Sequence, residues 1–156
     1  MTVELGELAP DFILEASNGE QVKLSDFRGT NVVLYFYPKD MTPGCTTEAC
    51  DFRDRIQDFH DVDAVILGVS PDPVDRHLKF AEKYGLPFLL LADIDHQVAE
   101  VFDVWKLKKN FGKEYMGIER STFILDKEGK LVKEWRKVQV KGHVEEALTF
   151  IRENLQ

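Results

Sequence analysis

VVLYFYPKDMTPGCTTEACDFRD, residues 32–54, changes character at Pro38. Before it, residues 32–37 are continuously apolar, β-branched and aromatic, the pattern of a central strand buried on both faces. Pro38 cannot donate to a strand ladder and ends the run. A short polar loop follows. Residues 46–59 then carry Ala49, Phe52, Ile56 and Phe59 at spacings of three or four, which predicts a helix. In an α/β sheet the crevice beyond the carboxyl ends of the strands is the preferred ligand site. The strand-loop-helix order aims Cys45 there. The helix start reads two ways. Thr42 is the N-cap with Pro43 at the first helical position, or the helix begins at Cys45 itself.

Working outward, residues 12–16 and 21–24 read as two short strands around Asn18-Gly19, an N-terminal β-hairpin. Residues 64–69 (AVILGV) form a second buried strand. Pro73 opens a helix that runs to Tyr84, with Gly85 closing it. Residues 88–91 suit a third strand and residues 97–102 a short helix. Residues 121–125 and 131–135 flank Asp126-Lys127-Glu128-Gly129 as a hairpin. Residues 143–154 close the chain as an amphipathic helix with Val144, Ala147, Leu148 and Ile151 on one face. Buried strands joined through helices imply parallel β-α-β pairing, and the late hairpin adds antiparallel strands. The expected architecture is α/β: a mixed central sheet flanked by helices, thioredoxin-like.

With 156 residues, the chain suits one domain spanning residues 1–156. Hydrophobic residues at 44% and charged residues at 31% exclude wholesale disorder and fibrous classes. The net charge of −8 disfavours a nucleic-acid partner. The lysines at 106, 108, 109 and 113 read as a solvated face. No leader pattern opens the chain, and its longest clean apolar stretch, residues 88–92, is far below the roughly 20 residues of a membrane helix. The expectation is therefore a cytoplasmic protein with no membrane contact. Two cysteines cannot form a disulfide framework, and in a reducing compartment a disulfide would be transient and catalytic. His60, His77, His96 and His143 share no ligand spacing and read as surface or packing residues, so no metal is expected. Trp105, Trp135, Phe111 and Tyr115 read as core or rim.

Either helix start puts the Cys45 sulfur near N–H groups with no helical acceptor, where the macrodipole favours an anion. A thiol of ordinary pKa ~8.5 is about 3% thiolate at pH 7, so complete ionisation adds only roughly thirty-fold. Fast attack that expels an anion needs, in addition, charge stabilisation at the breaking bond. Thr42 supplies a hydroxyl three residues upstream. Arg120 supplies a cation at the mouth of the apolar strand STFIL, and Glu48, one turn after Cys45, suits a bidentate hold on Arg120. Taken singly, each has a plainer role: a cap, a solvated strand end, a first-turn acid. Cys50 reads either as a small buried hydrophobe beside Ala49 and Phe52 or as a second reactive thiol. On an intact helix its Cα lies ~8.6 Å from that of Cys45. A disulfide spans at most about 6.8 Å, so bonding requires at least one turn to unwind.

Together these residues resemble a peroxiredoxin. Pro38, Thr42 and Cys45 reproduce the family's Pro-x-x-x-Thr-x-x-Cys pattern, and Arg120 in GIERSTFILD matches its distant arginine. The resemblance runs from Ala9-Pro10-Asp11-Phe12 to the last helix. PGCTTEAC resembles the bacterioferritin comigratory protein, or peroxiredoxin Q, subfamily. It implies a peroxidatic Cys45 and a resolving Cys50 joined in an intramolecular disulfide. Hydrogen peroxide and organic hydroperoxides would be substrates, and thioredoxin or a similar dithiol protein the reductant. It further implies a peroxide site at Pro38, Thr42, Gly44 and Arg120, with Glu48 orienting the arginine, no metal or other cofactor, and a monomer. Two rivals are weighed against it. A thioredoxin-type disulfide oxidoreductase would use Cys-x-x-Cys, not the spacing here. A redox sensor would only switch helix state.

Overall fold

The computed structural model describes residues 3–155. Met1, Thr2 and Gln156, part of the expected domain, lie outside them. Nine strands and five α-helices follow in chain order: β1 Ile13–Ala16, β2 Gln21–Lys23, β3 Asn31–Phe36, α1 Pro43–Asp54, α2 Ile56–Asp61, β4 Ala64–Ser70, α3 Val74–Tyr84, β5 Leu89–Ala92, α4 Gln97–Val101, β6 Trp105–Asn110, β7 Lys113–Ile118, β8 Ser121–Leu125, β9 Leu131–Trp135 and α5 His143–Asn154.

Seven strands form one sheet in the order β2-β1-β5-β4-β3-β8-β9. β3 pairs parallel with β4, and β4 with β5, while β8 runs antiparallel to β3. β3 is central, which explains its unbroken apolar run. Val32, Leu34 and Phe36 pack on one face with Leu67, Phe102, Phe123 and α4. Val33, Tyr35 and Tyr37 pack on the other with Phe52, Phe59, Phe80 and the inner face of α5. The thioredoxin-like mixed α/β architecture is as expected. Among the described residues no helix is long and apolar enough to cross a membrane.

The structure departs from the sequence reading in three places. The single helix over residues 46–59 is two helices, broken at Arg55 (φ −112°, ψ 12°). No glycine or proline marks the break. Packing sets it, because Phe52 and Phe59 on either side are both fully buried and Arg55 pairs with Glu145 of α5. Second, β6 and β7 form a separate hairpin that the sequence pattern does not announce. Third, Phe111 at its tip belongs neither to the core nor to a rim, being 97% exposed. Tyr115 is also exposed, whereas Trp105 and Trp135 are partly buried.

Candidate active site

β3 delivers the chain to the carboxyl edge of the sheet, where partly buried Pro38 ends the strand. The next turn is strained: Met41 has φ 66°, a conformation a non-glycine residue seldom adopts. Asp40 is what holds it. Its carboxylate accepts from Tyr37 Oη at 2.5 Å and meets His77 Nδ1 at 2.6 Å, with Asp40 and His77 both fully buried. The Asp40 N–H donates to Asp72 Oδ2 at 2.8 Å, and Arg76 donates to the Asp40 carbonyl at 3.3 Å. His77 Nε2 faces the Leu91 carbonyl at 3.0 Å, which fixes a hydrogen there. His77 is thus part of a polar clamp, more than the packing residue expected. Asp40, Asp72 and His77 bring three ligand atoms within 4.8 Å of one another. Each residue is already engaged by hydrogens of the protein, so the cluster closes on itself.

Thr42 is the N-cap, with Pro43 at the first helical position, which decides between the two helix starts. Its hydroxyl makes no cap bond. It donates instead to the Lys39 carbonyl at 2.8 Å, leaving its lone pairs as acceptors. Thr46 makes the first helical bond, to the Thr42 carbonyl, so the Gly44 and Cys45 N–H groups have no acceptor within the helix. Cys45 is 2% exposed and a free thiol.

Arg120 comes from the two-residue link between β7 and β8. It reaches both groups assigned to it, with one guanidinium nitrogen 2.6 Å from Glu48 Oε1 and the other 3.2 Å from Cys45 Sγ. The expected bidentate pair with Glu48 is therefore not formed. The fork divides, because the second branch is taken by the sulfur. Gly44 permits this approach, since a Cβ there would lie 3.2 Å from the same guanidinium nitrogen. Glu48 is fully buried with Oε2 unpartnered. Burial raises its pKa to about 7, against the pull of Arg120. For Arg120, burial works downward, but the charges and hydrogen bonds of Glu48 and Cys45 outweigh it and the net shift is upward.

Cys50 is on the same helix, partly buried and also a free thiol. α1 runs unbroken through both cysteines, so no bond between them exists in this state. Tyr35, Lys108 and the Asp40 clamp escaped the sequence reading. Burial first, then the charges of Glu48 and Cys45, push the Tyr35 phenol well above its ordinary range, and its hydroxyl is unpartnered. Burial, then the neighbouring Arg120, lowers Lys108, while Cys45 pulls it the other way. No local pattern marks them: Lys108 and the clamp partners Asp72, Arg76 and His77 come from other elements, and the environments of Tyr35 and Asp40 are set by packing.

A model of the AhpC/TSA family matches residues 5–134. The chain is 67% identical over 153 residues to "Peroxiredoxin Bcp" of Bacillus subtilis, covering 98% of each chain. To the Escherichia coli protein of the same name it is 42% identical over 152 residues, covering 97% of each. Among solved structures, the Xanthomonas campestris bacterioferritin comigratory protein, studied for alkyl peroxide reduction, superposes with a TM-score of 0.91. That match is 44% identical and covers 99% of this chain and 98% of the other. A cysteine-to-serine mutant of Xylella fastidiosa PrxQ superposes at 0.93 with 37% identity, covering 99% and 98%.

Proposed function

The chain belongs to the AhpC/TSA family of peroxiredoxins and is a thiol-dependent peroxidase, in which we propose that Cys45 is the peroxidatic residue and Cys50 the resolving one. What supports this assignment most is Arg120 spanning Glu48 and the Cys45 sulfur at the first turn of α1. The substrates are hydrogen peroxide and organic hydroperoxides. The peroxide lies along the edge formed by Thr42, Gly44 and Arg120, beside Pro38. Its O–H donates to the Thr42 hydroxyl, while Arg120 and the free N–H groups of Gly44 and Cys45 face the oxygens.

The Cys45 thiolate attacks the terminal oxygen. An S–O bond forms, the O–O bond breaks, and the leaving alkoxide or hydroxide takes a proton. The sulfur loses two electrons and becomes a sulfenic acid. Negative charge moves from sulfur to oxygen during this step. Arg120 can follow it without changing partners, since its other branch stays on Glu48. Cys50 then condenses with the sulfenic acid, releasing water and forming an intramolecular disulfide.

Condensation requires α1 to unwind from its N-terminus. Phe52 marks where unwinding stops, because it is fully buried and stacked on Tyr35 at 4.8 Å. A thioredoxin-like dithiol protein returns the disulfide to two thiols by exchange. Resolution within one chain needs no second subunit, so a monomer suffices. We infer a cytoplasmic protein, in which cysteines are normally reduced and such a disulfide is transient and catalytic. No metal or organic cofactor takes part.

The test is an intact mass after one equivalent of hydrogen peroxide, with thiols blocked under denaturing conditions. Loss of two hydrogens with neither thiol blockable is expected. Cys50→Ser should instead gain one oxygen, and Cys45→Ser should not react. A wild-type chain that gains one oxygen and keeps Cys50 blockable would remove the resolving role.

A further inference from the structure

The hairpin β6–β7 forms a sheet of its own, and its composition does not fit the rest of the surface. Leu107, Phe111, Tyr115 and Met116 are all exposed. Four lysines stand on it against one glutamate, in a chain of net charge −8. Lys106 is held by Asp103 and Lys109 by Glu114, whereas no ion pair engages Lys108 or Lys113 among the described residues.

The tip carries the most pointed observation. Asn110 faces Lys113 across a two-residue loop, and Phe111 and Gly112 both have positive φ, 52° and 77°. This is the type I′ geometry that selects Asn, Asp or Gly at both positions. Phenylalanine is an unfavourable choice there, and packing does not explain it, since the ring is 97% exposed. A bulky ring kept almost wholly in solvent on a strained turn is placed for a contact outside the chain. The strands alternate sides, so Lys108 and its cross-strand neighbour Tyr115 share a face. That face is turned toward the site, where the charges of Arg120 and Cys45 act on Lys108.

We propose that the β6–β7 hairpin, through Phe111, Lys113 and Tyr115, is the docking surface for the dithiol protein that reduces the Cys45–Cys50 disulfide, and that this protein presents an acidic face around an apolar patch. The inference rests on the reductant assigned above. An apolar anchor ringed by charges opposite to the partner's is the usual composition of such a contact. Docked there, the partner's thiolate attacks one sulfur of the disulfide and forms a mixed disulfide. Its second thiol then displaces the protein thiol. Two electrons and two protons pass to the cysteine pair, and the partner leaves as a disulfide.

The experiment takes the oxidised full-length protein and measures disulfide reduction by a purified acidic thioredoxin and, separately, by dithiothreitol. Phe111→Asn and Lys113→Glu lie outside the peroxide site, and asparagine suits the turn, so folding should be kept. Each variant should lower the thioredoxin rate constant by about tenfold, with rates in dithiothreitol and peroxide oxidation of the reduced protein unchanged. Added salt should slow thioredoxin on the wild type and much less on Lys113→Glu. Equal thioredoxin rates in wild type and both variants would overturn the surface. A wild type that self-associates and loses this in Phe111→Asn, with thioredoxin rates equal, would assign the surface to a second copy instead. A wild type reduced by dithiothreitol but not by thioredoxin would overturn the reductant itself, and this surface with it.

Discussion

Met41 and Phe111 both hold a left-handed backbone without being glycine, with φ of 66° and 52°, yet their surroundings are opposite. Beside Met41, Asp40 is gripped by Tyr37, His77, Asp72 and Arg76, side chains from three separate segments. Beside Phe111 no comparable grip exists among the described residues, and its ring meets solvent. A left-handed residue costs roughly 1–2 kcal/mol in either place. At Met41 the surrounding clamp overrides that cost, and the result is a fixed position for Thr42 and the first turn of α1. At Phe111 no described residue covers the ring, in keeping with the docking role proposed for it. Met41, held by many partners, lies at the proposed chemical corner, and Phe111, held by few, at the proposed docking corner.

The contrast can be broken or sharpened by substitution. The largest effect belongs to Arg120→Ala, at the chemical corner. Removing a preorganised donor from developing charge should slow peroxide oxidation of Cys45 by about 10²–10³-fold in stopped-flow measurements. A loss of a few-fold would take Arg120 out of the chemistry. Next is His77→Ala, which leaves the Asp40 carboxylate buried beside an empty space. Leaving a buried acceptor without its hydrogen-bond partner should cost about 1–3 kcal/mol in urea unfolding. The peroxide step should also slow, because the turn holding Thr42 loses its hold. A cost below about 1 kcal/mol would put Met41 and Phe111 on the same footing.

Glu48 gives an effect of similar size and a sign. Its pKa rises from 4.5 to about 7 on folding. The native state therefore binds the extra proton between these values. The resulting stabilisation is fully present below about 4.5 and is lost as pH rises through 7. Relative to Glu48→Gln, the wild type should lose on the order of 2 kcal/mol between pH 5 and pH 8 in paired urea titrations. A pH-independent difference would mean that Glu48 stays ionised throughout.

Much of the fold was legible because its signals are local. The apolar run of β3, the Asn18-Gly19 turn and the periodicity of α5 each decide their own element. β8 and β9 fall where the pattern put them, on either side of Gly129. The β6–β7 hairpin was not legible. Its lysines mask the strand alternation, and its turn has Phe111 where turn chemistry calls for a small residue. The break at Arg55 was hidden for a different reason, since the pattern on both sides is helical and only packing against the sheet and α5 separates the two.

At the site, the sequence by itself determined Cys45 at a helix start, Thr42 three residues before it and Cys50 five after it. These are relations along one short stretch, where chain geometry leaves little freedom. Only the tertiary structure decided that Arg120 divides its fork between Glu48 and the sulfur, and that Asp40 and His77 hold the turn. It also decided that Lys108 lies within electrostatic reach of Arg120 and the thiol. Lys108 and Arg120 aside, each of these joins residues 37 to 75 positions apart, and the sheet order that brings them together is set by burial of both its faces.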